Sequence, residues 1–194
     1  MIRSDKHIWA VLVLIFQACQ HPKCYEVGDF FPPFINMEWI QSPPLKTEDL
    51  KNKVVLIRWW TDECVFCSNS ADALNEWYNR YHDQGLEILG IYHPKPIDRQ
   101  PTVEDVRSFA RNKAFLFPIG LDMSWKNLAK VWLSCGEKPF TSVSFLLDKN
   151  GKIAYIHPGG EYHSAKAEGH EQCNLEYSRI DSIIKVMLNQ PIIK

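Results

Sequence analysis

The 194-residue chain has almost no net charge, no long apolar run, no internal repeat and no low-complexity tract. Each lack removes a class of function. With 22 basic and 23 acidic side chains the formal charge is -1, so the composition carries no electrostatic footprint for nucleic acid, and no nucleic-acid partner is expected. The longest apolar stretch, Ile8 to Phe16, falls well short of the ~20 residues a membrane-spanning helix needs. Six cysteines are present, but their spacings are irregular and a domain of this size does not need staples, so they do not read as a disulfide framework. A pairing of Cys135 with Cys173 is open, though nothing in the spacing forces it. Nor is there a second Cys-x-x-Cys, which a tetrahedral zinc site built on Cys64 and Cys67 would call for.

What is present suits one domain with a terminal extension. The 45% hydrophobic and 23% charged content is the balance of a soluble globular protein, and 22.6 kDa suffices to bury one sizeable core. Residues 1–23 read apart from the rest: Arg3 and Lys6 precede the apolar run, and Gln17-Ala18-Cys19 follows it. This is the outline of an export leader. Two forms stand, a signal peptide or a lipoprotein leader in which a lipidated Cys19 anchors the chain to a membrane; the alternative to both is an N-terminal strand or buried helix. Export makes the expected location extracytoplasmic, in a periplasm or on an outer surface.

Pro32-Pro33 and Pro43-Pro44 punctuate an approach segment that cannot be one long helix. Lys53 to Trp60 (KVVLIRWW) is a continuous β-branched and aromatic run, as expected for a strand buried on both faces. Leu74, Trp77, Tyr78 and Tyr81 recur at helical spacing up to Gly85, and Leu86 to Tyr92 (LEILGIY) is a second buried strand, so the opening β-α-β unit has parallel strands. Val103, Val106, Phe109 and Ala110 mark a helix, 117–121 a short strand, and Trp125, Leu128, Ala129, Trp132 and Leu133 a further helix. Next come two strands, 141–147 and 152–157, flanking the Asn150-Gly151 turn signal. Ile180, Ile183, Ile184, Met187 and Leu188 define a closing amphipathic helix. The order predicts an α/β fold with a central mixed sheet flanked by helices, an N-terminal extension and an inserted α-β segment.

The stretch VVLIRWWTDECVFC at 54–67 resembles the signature of TlpA-type thioredoxin-like oxidoreductases, and SFLLDKNGKI resembles their hairpin; with GDFFPPF near the start the likeness spans about residues 27 to 190. The resemblance implies a thioredoxin-like domain over 27–190, a redox-active Cys64-Cys67 pair with Trp60 beside it, client proteins bearing disulfides, and a thiol electron donor. No cofactor is required by such chemistry. The residues themselves agree: a cysteine at the mouth of a helix gains thiolate character from unsatisfied backbone N–H groups, and a two-residue spacer lets a second cysteine resolve a mixed disulfide. Cys64 is thus the expected nucleophile and Cys67 the resolving thiol.

Three features depart from the pattern. Arg58 stands where thioredoxin has a buried acid, and two readings are open: a cation that favours the thiolate, or an edge residue paired with a carboxylate. Asp62 and Glu63 precede the nucleophile and would raise its pKa if close, the other reading being that both are fully solvated. Ser142 aligns with the family's usual cis-proline.

Strand direction carries His93 and His157 to the end of the sheet where Cys64 begins its helix, with Cys135 and His163 expected in the same neighbourhood. His157, His163, His170 and Cys173 offer donors suited to zinc or copper, although no standard metal motif has this spacing. A polar loop without metal, or a role in proton transfer to the cysteines, are the other readings. Thiol-disulfide exchange with client proteins is the leading function, a copper- or zinc-handling protein and a thiol-dependent peroxide reductase being the alternatives.

Overall fold

A computed structural model describes residues 23–164 and 168–191. The expected leader, Cys19 included, lies outside the described residues but for Lys23. The centre is a six-stranded sheet in the order β1-β4-β3-β2-β5-β6, with β1 (Glu38–Ile40), β2 (Val54–Trp60), β3 (Leu86–Tyr92), β4 (Ile119–Leu121), β5 (Ser144–Leu147) and β6 (Ile153–His157). Every residue of β2 and β3 is buried, which is why both read as near-continuous apolar runs, interrupted by the charged Arg58 and Glu87. They pair in parallel from Val54 opposite Leu86 to Trp60 opposite Tyr92. Parallel neighbours need a crossover, supplied by α1 (Val65–Asn69) and α2 (Ala71–Tyr81). β4 continues the parallel set, while β1, β5 and β6 are antiparallel to their neighbours. The expected mixed α/β sheet is therefore present.

Side chains alternate across a strand, so adjacent Trp59 and Trp60 serve opposite faces. Trp60 joins the cluster formed with Trp77, Tyr92, Phe117 and Ile184, beneath α2, α3 (Val103–Asn112) and α5 (Glu171–Asn189). Trp59 joins Phe31, Phe145, Leu128 and Trp132 on the other face. Each fully buried large apolar side chain contributes about 1.5–3 kcal/mol, so these two layers supply the main driving force for folding. α2 ends as the apolar spacing requires: a 3-10 turn follows, and Gly85 takes the left-handed conformation at φ 104°, which glycine adopts without steric cost.

Three features differ from expectation. β1 is a strand of three residues with one buried side chain, too short to show a period. The segment read as one helix over 125–133 is a short turn, α4 (Lys126–Leu128), running into a π turn over Ala129–Leu133. It starts where the buried Asp122 carboxylate accepts the N–H groups of Asn127 at 3.1 Å and Leu128 at 2.8 Å. Finally, Cys135 bonds to Cys24, not to Cys173, with Cα atoms 5.4 Å apart. The Phe30–Lys152 bridge and the backbone bonds of Gly28 and Phe31 to Ile153 and Gly151 fold the N-terminal segment back along the sheet, which lets Cys24 reach a residue 111 positions away. Cys173 stays a free thiol.

Candidate functional site

Cys64 is the residue that caps α1. Its Sγ accepts the Cys67 backbone N–H at 3.1 Å, and its backbone is extended, which turns the sulfur towards the first helical turn. Cys67 follows one turn on and is 5% exposed, whereas Cys64 is half-buried and flanked by exposed Val65 and Phe66. The burial difference divides the two sulfurs chemically. A hydrogen bond from the Cys67 thiol, assisted by the Cys67 N–H and by the charges of Arg58 and Lys95, outweighs burial and brings Cys64 down to about 6. The same hydrogen bond, together with burial, holds the Cys67 thiol far above its usual range. One thiolate is therefore available near neutral pH on the accessible side, with a protonated thiol behind it.

Arg58 lies in the middle of β2, completely buried. Its Nη1 donates to the Ser142 carbonyl at 2.5 Å and to Ser144 Oγ at 3.3 Å, and its Nη2 donates to the Gly160 carbonyl at 2.7 Å. The guanidinium also lies 5.0 Å from the Tyr162 ring centroid. Among the described residues its hydrogen bonds go to oxygens of neutral groups, so the reading as an edge residue paired with a carboxylate is corrected. No carboxylate among these partners offsets the guanidinium charge, which acts on Cys64 and Cys67. Ser142, 4% exposed, contributes its carbonyl to this cradle.

The acids before the nucleophile are screened. Arg99 grips Asp62 with two hydrogen bonds of 2.6 and 2.7 Å, Tyr92 adds one of 3.1 Å, and Glu63 lies 3.5 Å from the same guanidinium. Burial pushes the Asp62 carboxyl up, but these bonds win and keep it below the usual carboxylate range. Asp62 and Glu63 thus leave the Cys64 thiolate unopposed.

His93 and His157 are both almost fully buried, and each is pushed down to about 3, chiefly by burial, with Arg58 adding to both. Neutral imidazoles fit a site that already holds a buried cation. Both nitrogens of His93 and Nδ1 of His157 lack hydrogen-bond partners among the described residues, and His157 packs edge-on against Tyr162 at 5.1 Å. Trp60 packs on Phe109 and Tyr92, in the cluster against which Cys64 and Cys67 also rest. Trp77 and Trp132 are core, and Trp125 is partly exposed, donating its Nε1 hydrogen to the Pro94 carbonyl at 2.8 Å.

His163 is brought together with Glu161, His170 and Cys173. The sequence pattern also leaves four participants unmarked: Lys95, Arg99, Tyr162 and the Gly160 carbonyl. Lys95 sits two residues beyond His93 on the exit from β3, a position from which its role is open to inference. Tyr162 lies in an irregular loop and carries no periodic signal, yet it is fully buried and ties the loop to Ser144 and Ser70.

Residues 27–156 match the model of the AhpC/TSA family. The thiol-disulfide oxidoreductase ResA of Bacillus cereus is 28% identical over 128 residues, covering 66% of this chain and 67% of that protein. Protein DipZ of Mycobacterium bovis is 28% identical over 129 residues, and here the chain spans 18% of the relative's length. Among solved structures, a thiol:disulfide interchange protein DsbE from Chlorobium tepidum superposes with a TM-score of 0.66 at 19% identity, covering 85% of this chain and 99% of that one. The sheet order and these neighbours make the fold thioredoxin-like.

Proposed function

The chain belongs to the AhpC/TSA family, and we propose that it is a thiol-disulfide oxidoreductase that exchanges disulfides with client proteins through Cys64 and Cys67. The observation that carries this reading is the split between the two sulfurs: a half-buried Cys64 brought to about 6 and a buried Cys67 held protonated. The Cys64 thiolate attacks one sulfur of a client disulfide, forming the mixed disulfide and releasing a client thiolate. Cys67 then loses its proton and attacks Cys64 Sγ, which forms the Cys64–Cys67 disulfide and frees the second client thiolate. Two electrons pass to the client, and a thiol donor restores the pair. Two cysteine sulfurs carry the whole exchange, so it calls for no cofactor.

Arg58 replaces a base with a fixed charge: it lowers the cost of the Cys67 thiolate without accepting its proton. Exposed Val65 and Phe66 offer apolar surface for a polypeptide client beside the attacking sulfur. An extracytoplasmic location is supported by the leader-like residues 1–23 and by the Cys24–Cys135 disulfide, since such cross-links persist in oxidising compartments. Lipidation of Cys19 would supply membrane attachment; no helix among the described residues is long and apolar enough to cross a membrane.

The test is turnover of a protein disulfide, such as that of insulin, with a thiol reductant. Wild-type protein should accelerate it, and both Cys64→Ser and Cys67→Ser should reduce the rate to background. Undiminished turnover in Cys64→Ser would refute the assignment.

A further inference from the structure

A second group of reactive side chains lies apart from the cysteine pair. After β6 the chain presents Glu161 and His163, and the start of α5 presents His170, the residue before its first turn, and Cys173 within that turn. The His-x-x-Cys spacing sets these two donors one helical turn apart, on one face. A backbone bond from His163 N–H to the Cys173 carbonyl, at 3.4 Å, ties the loop to the helix. One carboxylate oxygen, two imidazole nitrogens and one sulfur consequently lie within 4.8 Å of one another.

We infer that Glu161, His163, His170 and Cys173 form a binding site for one divalent transition-metal ion, best suited to Zn2+. The donor set is the first argument. Thiolate, imidazole and carboxylate are the three ligand types zinc takes, four of them complete a tetrahedron, and one thiolate with one carboxylate neutralises the ion's charge. Spacing is the second. Zinc–ligand bonds of about 2.0–2.3 Å place tetrahedral donors roughly 3.3–3.7 Å apart, so a cluster already within 4.8 Å closes by small side-chain rotations. Cys173 Sγ stands 3.5 Å from Glu161 Oε1, and His163 Nε2 stands 3.9 Å from Glu161 Oε2.

Two further features fit a ligand. His170 Nδ1 is buried with no hydrogen-bond partner among the described residues. Asn69, at the end of α1, donates its side-chain N–H to Glu161 Oε2 at 2.5 Å, fixing the carboxylate from outside as the partners of metal ligands do. An open cleft of about 610 Å³ beside His163 and His170 gives an ion a way in. With all four positions filled by protein, the ion's role is structural: it fastens the loop after β6 to the start of α5 and, through Asn69, to the helix that carries Cys64. The inference does not depend on the redox reading.

The experiment uses the full chain, reduced and stripped of metal with a chelator, titrated with Zn2+ and in parallel with Co2+ as a spectroscopic substitute. Wild-type protein should bind one equivalent, and the cobalt form should show a thiolate-to-metal charge-transfer band. The Cys64→Ser/Cys67→Ser double variant should keep both the equivalent and the band. Cys173→Ser and His170→Ala should each weaken zinc binding by at least about 100-fold, while the metal-free variants keep the circular dichroism spectrum of metal-free wild type. Absence of zinc binding at micromolar concentrations would overturn the inference. So would a band that vanishes with Cys64 and Cys67 and survives loss of Cys173.

Discussion

At the scale of single residues the chemistry rests on a charge that local sequence does not explain. Arg58 sits inside an apolar strand, and its burial is imposed by acceptors contributed 84 to 102 positions later, Ser142, Ser144 and Gly160. A reader of the strand alone has no means of seeing them, which is why the strand leaves open the choice between a buried and an outward arginine. Cys64 and Cys67 are the opposite case, because their roles follow from a spacing four residues long. Cys64 should react with iodoacetamide along a pH profile whose midpoint lies near 6, against the 9.0 of an ordinary thiol. Arg58→Met should move that midpoint upward. A rise of about one unit would cut the alkylation rate at pH 6 about fivefold, and Arg58→Lys should restore much of it by restoring the charge. An unshifted profile in Arg58→Met would remove the arginine from the account.

Elements show where periodicity informs and where it fails. β2 and β3 are legible as continuous runs buried on both faces, and α2 and α5 because each buries one face at helical spacing. β1 is not, having one buried residue, and the π turn at 129–133 is masked because the same aromatic spacing suits an ordinary helix. The connection after β6 is set by contacts that no repeat records. Gly159 there has φ 122°, and a Cβ at that position would collide with Phe140, whose ring packs on Phe66 beside the cysteines. Gly159→Ala should therefore destabilise the protein by about 1–3 kcal/mol, read as a lowered urea midpoint. Because the next residue holds Arg58 by its carbonyl, the Cys64 alkylation midpoint should also rise.

For the whole molecule, the Cys24–Cys135 bond closes a separation of 111 residues, and its partners cannot be chosen from spacing because they depend on how the N-terminal segment runs along the sheet. Removing it with Cys24→Ser/Cys135→Ser should cost about 2–5 kcal/mol in unfolding free energy, with disulfide exchange by Cys64 retained at 25 °C. Linkage gives a second global outcome. The Cys64 pKa is lower in the folded reduced protein than in the unfolded chain, so its contribution to stability is complete above about 9 and lost as pH falls through about 6. Reduced protein should gain stability relative to oxidised protein as pH rises across that window, measured by paired urea titrations.

The central claim, that Cys64 attacks and Cys67 resolves, is tested most directly by reacting Cys67→Ser with a peptide disulfide and locating the adduct by mass spectrometry. The account predicts one stable mixed disulfide on Cys64, formed faster as rising pH converts its thiol to the thiolate. An adduct on Cys173, or none at all, would contradict it.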